Sequence, residues 1–292
     1  MNNGNLEIKE RGLKMQISEL CNLIDVPKEV QDKVVKYEDN IDFSSIETEM
    51  TQMNNPKTWK KAIEGLTEFL APDEKGLKML ACQLHAACNT YKKYEDMGIL
   101  DDIYIETMKF FSRFLYYHKK IYGEYKYVWG WWAVRQISMQ EFRIGDLEYE
   151  MIVEDDKKLI SIHIPSNANM TSSNLRKSYQ DARDFFDKYY PDFAKADMIC
   201  GSWLLAPALK KLLPDSSRII QFQNSFVLTS QENDSPGFLD WVYGRRDIPF
   251  EDLPEETSLQ RKIKHYLLND GKVEWANGTL ISNPFSDNHM IR

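Results

Sequence analysis

The stretch LISIHIPSNANMTSSNLRKSYQDARDFF, residues 159–186, decides how the second half of the chain folds. Ile160, Ile162 and Ile164 alternate with Ser161 and His163, the period of a strand, and the run ends in a Pro/Ser/Asn loop. From Ser173 onward the period changes. Leu175, Tyr179, Ala182, Phe185 and Phe186 fall on one stripe of a helix that Pro191 ends. DMICGSWLL follows at once as a further strand. A strand, a helix and a strand in so short a span imply a right-handed parallel unit.

Working outward towards the N-terminus, LEYEMIV and WWAVRQISMQEFR read as two more strands, set off by turn signals at Gly145-Asp146 and Glu154-Asp155-Asp156. With the strand at 159–164 they predict a three-stranded meander. Towards the C-terminus, PALKKLLP reads as a short helix and SRIIQFQNSFVLTS as a long strand, with Ile220 and Phe222 on one face and Gln221 and Gln223 on the other. A helix follows from Thr257, where T-S-L-Q places Gln260 to complete a capping box, and KVEWANGTLIS supplies a last strand.

Before Tyr127 the punctuation is helical. VPKEVQDKVVKYE carries Pro27 in a first turn. Pro72, Asp73 and Glu74 open a second helix with a stripe of Leu77, Met79, Leu80, Leu84 and Cys88, and a third runs from about Ile103 to Gly123. The expected architecture is α+β in two domains, a helical domain over residues 1–125 and a mixed-sheet domain over 126–292.

The 292 residues suffice for two cores, and 42% hydrophobic with 28% charged residues is ordinary globular composition. The formal net charge of -8 repels polyphosphate, so a nucleic-acid partner is not expected. Four scattered cysteines without a CxxC pair, and an N-terminus without an apolar core, point to a cytoplasmic protein. Arg113, Lys119 and Lys120 interrupt the most apolar segment, so no membrane span is expected. Cys82, His85 and Cys88 have ligand chemistry, but their spacing sweeps around the helix and no fourth ligand is apparent; core packing is the reading, with no metal. Trp129, Trp131 and Trp132 read as packing between the two domains, and Gly244-Arg245-Arg246 as a solvated basic loop.

Segments 131–150, 160–179, 199–226 and 253–268 resemble a bacterial family of acyltransferases, its activity inferred from fold, with a helical N-acyltransferase N-terminal domain and a GNAT-like C-terminal domain. The order of elements is also that of GNAT enzymes. The resemblance implies a small-molecule acceptor and acyl-CoA as co-substrate, lying between adjacent parallel strands with its pyrophosphate on the amides that begin the intervening helix. Ser166, Asn167, Ser172, Ser173, Asn174 and Arg176 would then bind the co-substrate. The loop PSNANMTSS lacks the family's glycines, and Asn167 and Asn169 are the residues expected to tolerate positive φ in their place. For direct acyl transfer to an amine, His163 suits the general base and Ser202 a hydrogen-bond donor to the thioester. A satisfied sheet histidine and a structural hydroxyl are the alternatives. Cys200 reads as a small core residue. The competing function is a non-catalytic GNAT-like module that binds a ligand or protein.

Overall fold

The computed structural model describes residues 15–233 and 235–281. The chain divides into two compact units, Met1–Arg143 and Ile144–Arg292. The boundary falls after the change of sequence period at Tyr127, because residues 130–137 are helical and belong to the first unit.

That unit is built from α1 (Ile17–Leu23), α2 (Lys28–Glu38), α3 (Glu47–Gln52), α4 (Trp59–Leu70), α5 (Leu77–Met97), α6 (Asp101–Met108), α7 (Phe110–Tyr122) and α8 (Gly130–Ile137). The central α5 is mostly buried, with Leu80, Ala81, Leu84 and Ala87 fully inaccessible. It starts later than Pro72 suggests, after Gly76 at φ 68°, and Asp73 accepts hydrogen bonds from the N–H groups of Lys78 (3.2 Å) and Met79 (2.9 Å). The acidic residue thus serves the helix start from outside it. The expected helix at 103–123 is two helices, α6 and α7, joined through Lys109 and ended by Gly123 in the left-handed region.

The expected strand at WWAVRQIS is a correction: it is α8. Gly130, Ala133, Val134 and Ile137 form its buried face, a spacing of three and four that the aromatic, β-branched composition disguised. Gln83 Nε2 and Thr90 Oγ1 of α5 donate to the carbonyls of Gly130 and Ile137, each at 2.7 Å. The tryptophans pack within this unit. Trp129 lies 4.4 Å from the Phe114 ring and 5.6 Å from Trp131, and the Arg135 guanidinium sits 4.1 Å over Trp132.

A six-stranded mixed sheet runs in the order β1-β2-β3-β4-β6-β5, with β1 Glu141–Ile144, β2 Leu147–Glu154, β3 Lys157–His163, β4 Asp197–Ser202, β5 Phe226–Glu232 and β6 Trp275–Leu280. Between β3 and β4 lies α9 (Ser172–Tyr189); α10 (Leu209–Leu212), α11 (Arg218–Gln223), α12 (Gly237–Val242) and α13 (Ser258–Leu267) complete the second unit. The strand–helix–parallel strand unit and the Thr257–Gln260 capping box are as the sequence implies. The long strand expected at 217–230 is a second correction, since its first half is α11 and only the second half is β5. Ser217 caps α11 by accepting from the Ile219 N–H, and six residues of alternation cannot outweigh a capped turn. Gln221 and Gln223 therefore stand on a helix. Among the described residues no helix is long and apolar enough to cross a membrane.

Candidate functional site

The two faces of the sheet differ in burial, and the register sorts the residues between them. Ile160 and Ile162 of β3 share a face with Met198, Cys200 and Ser202 of β4 and with Tyr149 and Met151 of β2, all buried. This face lies under α9. Tyr149 Oη is 2.8 Å from Ser178 Oγ, which in turn donates to the Ile144 carbonyl at 2.5 Å. The opposite face carries Ser161, His163, Ile199, Gly201, Trp275 and Asn277, each half-buried, together with the buried Glu148 and Glu150 of β2.

His163 stands on the half-open face, as alternation implied. Its Nε2 lies 3.0 Å from Glu150 Oε2, one pair diagonal across the β2–β3 ladder, where Glu148 is opposite His163 and Glu150 opposite Ser161. In the tautomer that carries its proton on Nε2, the ring donates to Glu150 and its lone pair is on Nδ1, as a base acting at Nδ1 requires. Glu150 is 7% exposed, and His163 is half-buried. Sequence reasoning did not find Glu150. The signal was there in LEYEMIV, whose two glutamates alternate with buried apolar residues, but only register joins them to His163.

Ser202 lies on the other face. Its Oγ accepts from the Leu204 N–H at 3.1 Å and caps the turn that follows β4. Cys200, two residues earlier, is fully buried, and burial pushes its thiol from 9.0 up to about 12. At Gly201, between them, the backbone is closely approached: a Cβ there would meet Asn277 Oδ1 at 2.6 Å and Trp275 Nε1 at 3.2 Å. Two polar groups of β6 thus lean over the β4 backbone on the face of His163.

The parallel ladder between β3 and β4 is short. It covers Leu159↔Asp197, Ile160↔Met198 and Ser161↔Ile199 and then ends. Yet β3 continues beside β2 to His163, and β4 continues beside β6 to Ser202. The facing edges of residues 162–165 and 200–202 therefore lie outside the ladder, at the strand ends that lead into the loop and α9.

That loop keeps its shape without glycine. Asn167 and Asn169 are not among the residues at positive φ, so they do not stand in for glycines in the way expected. Asp146 braces the loop instead: its carboxylate accepts from the Asn169 N–H and from Asn174 Nδ2, both at 2.9 Å. Thr171 is the N-cap of α9 and accepts from the Asn174 N–H, while Ser172 Oγ donates to Gln221 Oε1 at 2.9 Å. Ser166, Asn167 and Ser173 are exposed. Arg176 is exposed too, and with Ser173, Lys177, Gln180 and Asp181 it lines a surface hollow of ≈ 530 Å³. Ser172, Ser173, Asn174 and Arg176 are thus gathered in the first turns of one helix, where backbone N–H groups and the helix dipole favour an anion.

The remaining candidates lie elsewhere. Cys82 is buried with its thiol also raised to about 12 by burial, and His85 bonds Glu38 at 2.8 Å while stacking on Phe43 at 4.1 Å. Arg245 pairs with Asp247, and Arg246 with Asp240, on the surface.

No curated protein sequence is detectably similar to this chain. Solved structures of acyltransferases are similar in fold. One, in complex with decanoyl-CoA and teicoplanin, has a TM-score of 0.76 at 19% identity, over 94% of this chain and 93% of that one. Another, in complex with CoA and 10C-teicoplanin, has a TM-score of 0.75 at 20% identity, over 90% and 87%. The profile of the N-acyltransferase N-terminal domain matches residues 15–139. That of the GNAT-like C-terminal domain matches residues 109–280, more than half of the sequence, and the chain belongs to this GNAT-like N-acyltransferase family.

Proposed function

We propose that the protein transfers an acyl group from acyl-CoA to an amine by direct attack. The observation that carries this reading is the end of the β3–β4 ladder at Ser161↔Ile199, with the start of α9 at the same end of the strands. Backbone around 163–167 and 199–203 is then available to pair with the pantetheine arm, and the first turn of α9 to receive the pyrophosphate. Family membership supports the same assignment, as do the similar acyltransferase structures that hold decanoyl-CoA.

His163 is the base in this mechanism. The acceptor nitrogen attacks the thioester carbonyl carbon, Nδ1 takes the proton that nitrogen sheds, and the carbon–sulfur bond breaks to release the CoA thiolate, which takes a proton from solvent as the imidazolium returns its own. Glu150 holds the ring and stabilises the imidazolium that forms. This mechanism assigns no step to Ser202, which lies on the opposite face and accepts from the Leu204 N–H.

A non-catalytic binding module is the second reading, favoured by the glycine-free loop and by the carboxylate of Asp146 within it. Calorimetry with acetyl-CoA and decanoyl-CoA, followed by turnover of each with a panel of primary amines, separates the two. Binding with turnover is expected. His163→Ala is expected to keep the affinity within about twofold and to lower turnover by roughly 10²–10⁴. Turnover unchanged in that variant removes His163 from the mechanism, and tight binding without any turnover favours the module.

A further inference from the structure

We infer that Arg218 is a second cationic ligand for the diphosphate of acyl-CoA, brought to the loop from a separate helix in place of the missing glycines. The inference rests on the acyl-CoA reading above. It starts from charge: a diphosphate brings negative charge to the start of α9, where Asp146, from the β1–β2 turn, bonds Asn169 and Asn174. A helix N-terminus supplies only about half a positive charge.

Two contacts tie α11 to this loop. Arg218 Nη1 donates to Asn169 Oδ1 at 3.3 Å, and one turn later Gln221 accepts from Ser172 Oγ at 2.9 Å. The helix itself is seated by Gln223, whose buried amide donates to the carbonyls of Leu204 (2.8 Å) and Ala206 (3.0 Å) in the turn that follows β4. The guanidinium thus reaches the loop from a position set by the strand that would flank the ligand. Its bond to Asn169 is solvent-exposed and uses one nitrogen of a fork that can grip a diphosphate with two. Arg176, on α9, supplies charge from the helix side of the same turn. Glycine loops bind phosphate through bare backbone; here the backbone is braced by Asp146 and an exposed guanidinium is added.

The test is calorimetric titration of the full chain with acetyl-CoA, acetyl-dephospho-CoA and S-acetylpantetheine. Arg218→Ala is expected to weaken the first two alike, by roughly tenfold, and to leave the third unchanged. Asn169→Ala, which removes the guanidinium's partner but keeps the backbone N–H that Asp146 holds, is expected to bind acetyl-CoA within about twofold of the wild type. Equal losses in both variants would make Arg218 a brace of the loop and overturn the inference. So would a loss confined to acetyl-CoA, which would assign the residue to the 3′-phosphate. Wild-type binding that Arg218→Ala leaves untouched sinks this inference alone; no wild-type binding sinks the acyl-CoA reading with it.

Discussion

If acyl transfer is direct, Cys200 carries no acyl group, although it sits on β4 just past the end of the β3–β4 ladder and is chemically able to accept one. Its thiol is raised by burial from 9.0 to about 12. At pH 8 a thiol at 9.0 is ionised to about one part in ten, and one at 12 to about one part in ten thousand, a penalty of about 4 kcal/mol on the nucleophile. Burial is the cause of the shift. Cys200→Ala deletes one buried sulfur at a cost of roughly 1–2 kcal/mol in stability, so the variant is expected to fold. The assay has two parts. Intact-mass measurement after incubation with decanoyl-CoA should show no acyl adduct on the wild type, and Cys200→Ala should turn over with rates within about twofold of it. Labelling by an aromatic disulfide should be slow in the folded protein and fast in denaturant. An adduct that maps to Cys200, or loss of turnover in the variant with acyl-CoA affinity intact, would refute the direct route and the reasoning from burial together.

Alkaline pH should expose the same groups thermodynamically. Cys21, Cys82 and Cys200 are all raised from 9.0 to about 12, so their protonated forms stabilise the fold in full below pH 9, and this contribution is lost as pH climbs from 9 towards 12. Each thiol contributes a slope of about 1.4 kcal/mol per pH unit in that window, and Cys200→Ala should show a shallower fall of melting temperature between pH 9 and 11 than the wild type; identical slopes would count against it. At the loop, Asp146→Ala leaves the Asn169 N–H without its 2.9 Å acceptor and should cost about 1–2 kcal/mol in stability and weaken acetyl-CoA binding. A variant that binds acetyl-CoA more tightly would instead mean that the repulsion of the carboxylate outweighs its bracing.

Several parts of the candidate site are local, and their placement can be read from one dimension. His163 alternates with isoleucines, and the Ser/Asn/Arg turn precedes an amphipathic helix; period and capping chemistry act over a few residues and leave their mark in order. Where the reading of elements failed, two local signals competed. In residues 130–137 the tryptophans and valine have strand composition, but burial at 130, 133, 134 and 137 follows a helix, and contact with α5 decided the outcome. In RIIQFQ the alternation was real and the Ser217 cap prevailed.

By itself the sequence determined the class of the protein: helices first, then a mixed sheet holding a strand–helix–parallel strand unit, with a histidine on one strand and an anion-favouring helix start after it. Only tertiary structure decided which side chains meet. Register placed Glu150 beside His163 and put Ser202 on the opposite face, because a shift of one residue in a strand exchanges its faces. Packing brought Asp146 and Arg218, distant in sequence from the loop and from each other, to the same asparagine. Such contacts depend on how separate elements dock, and no periodicity within any one of them records it.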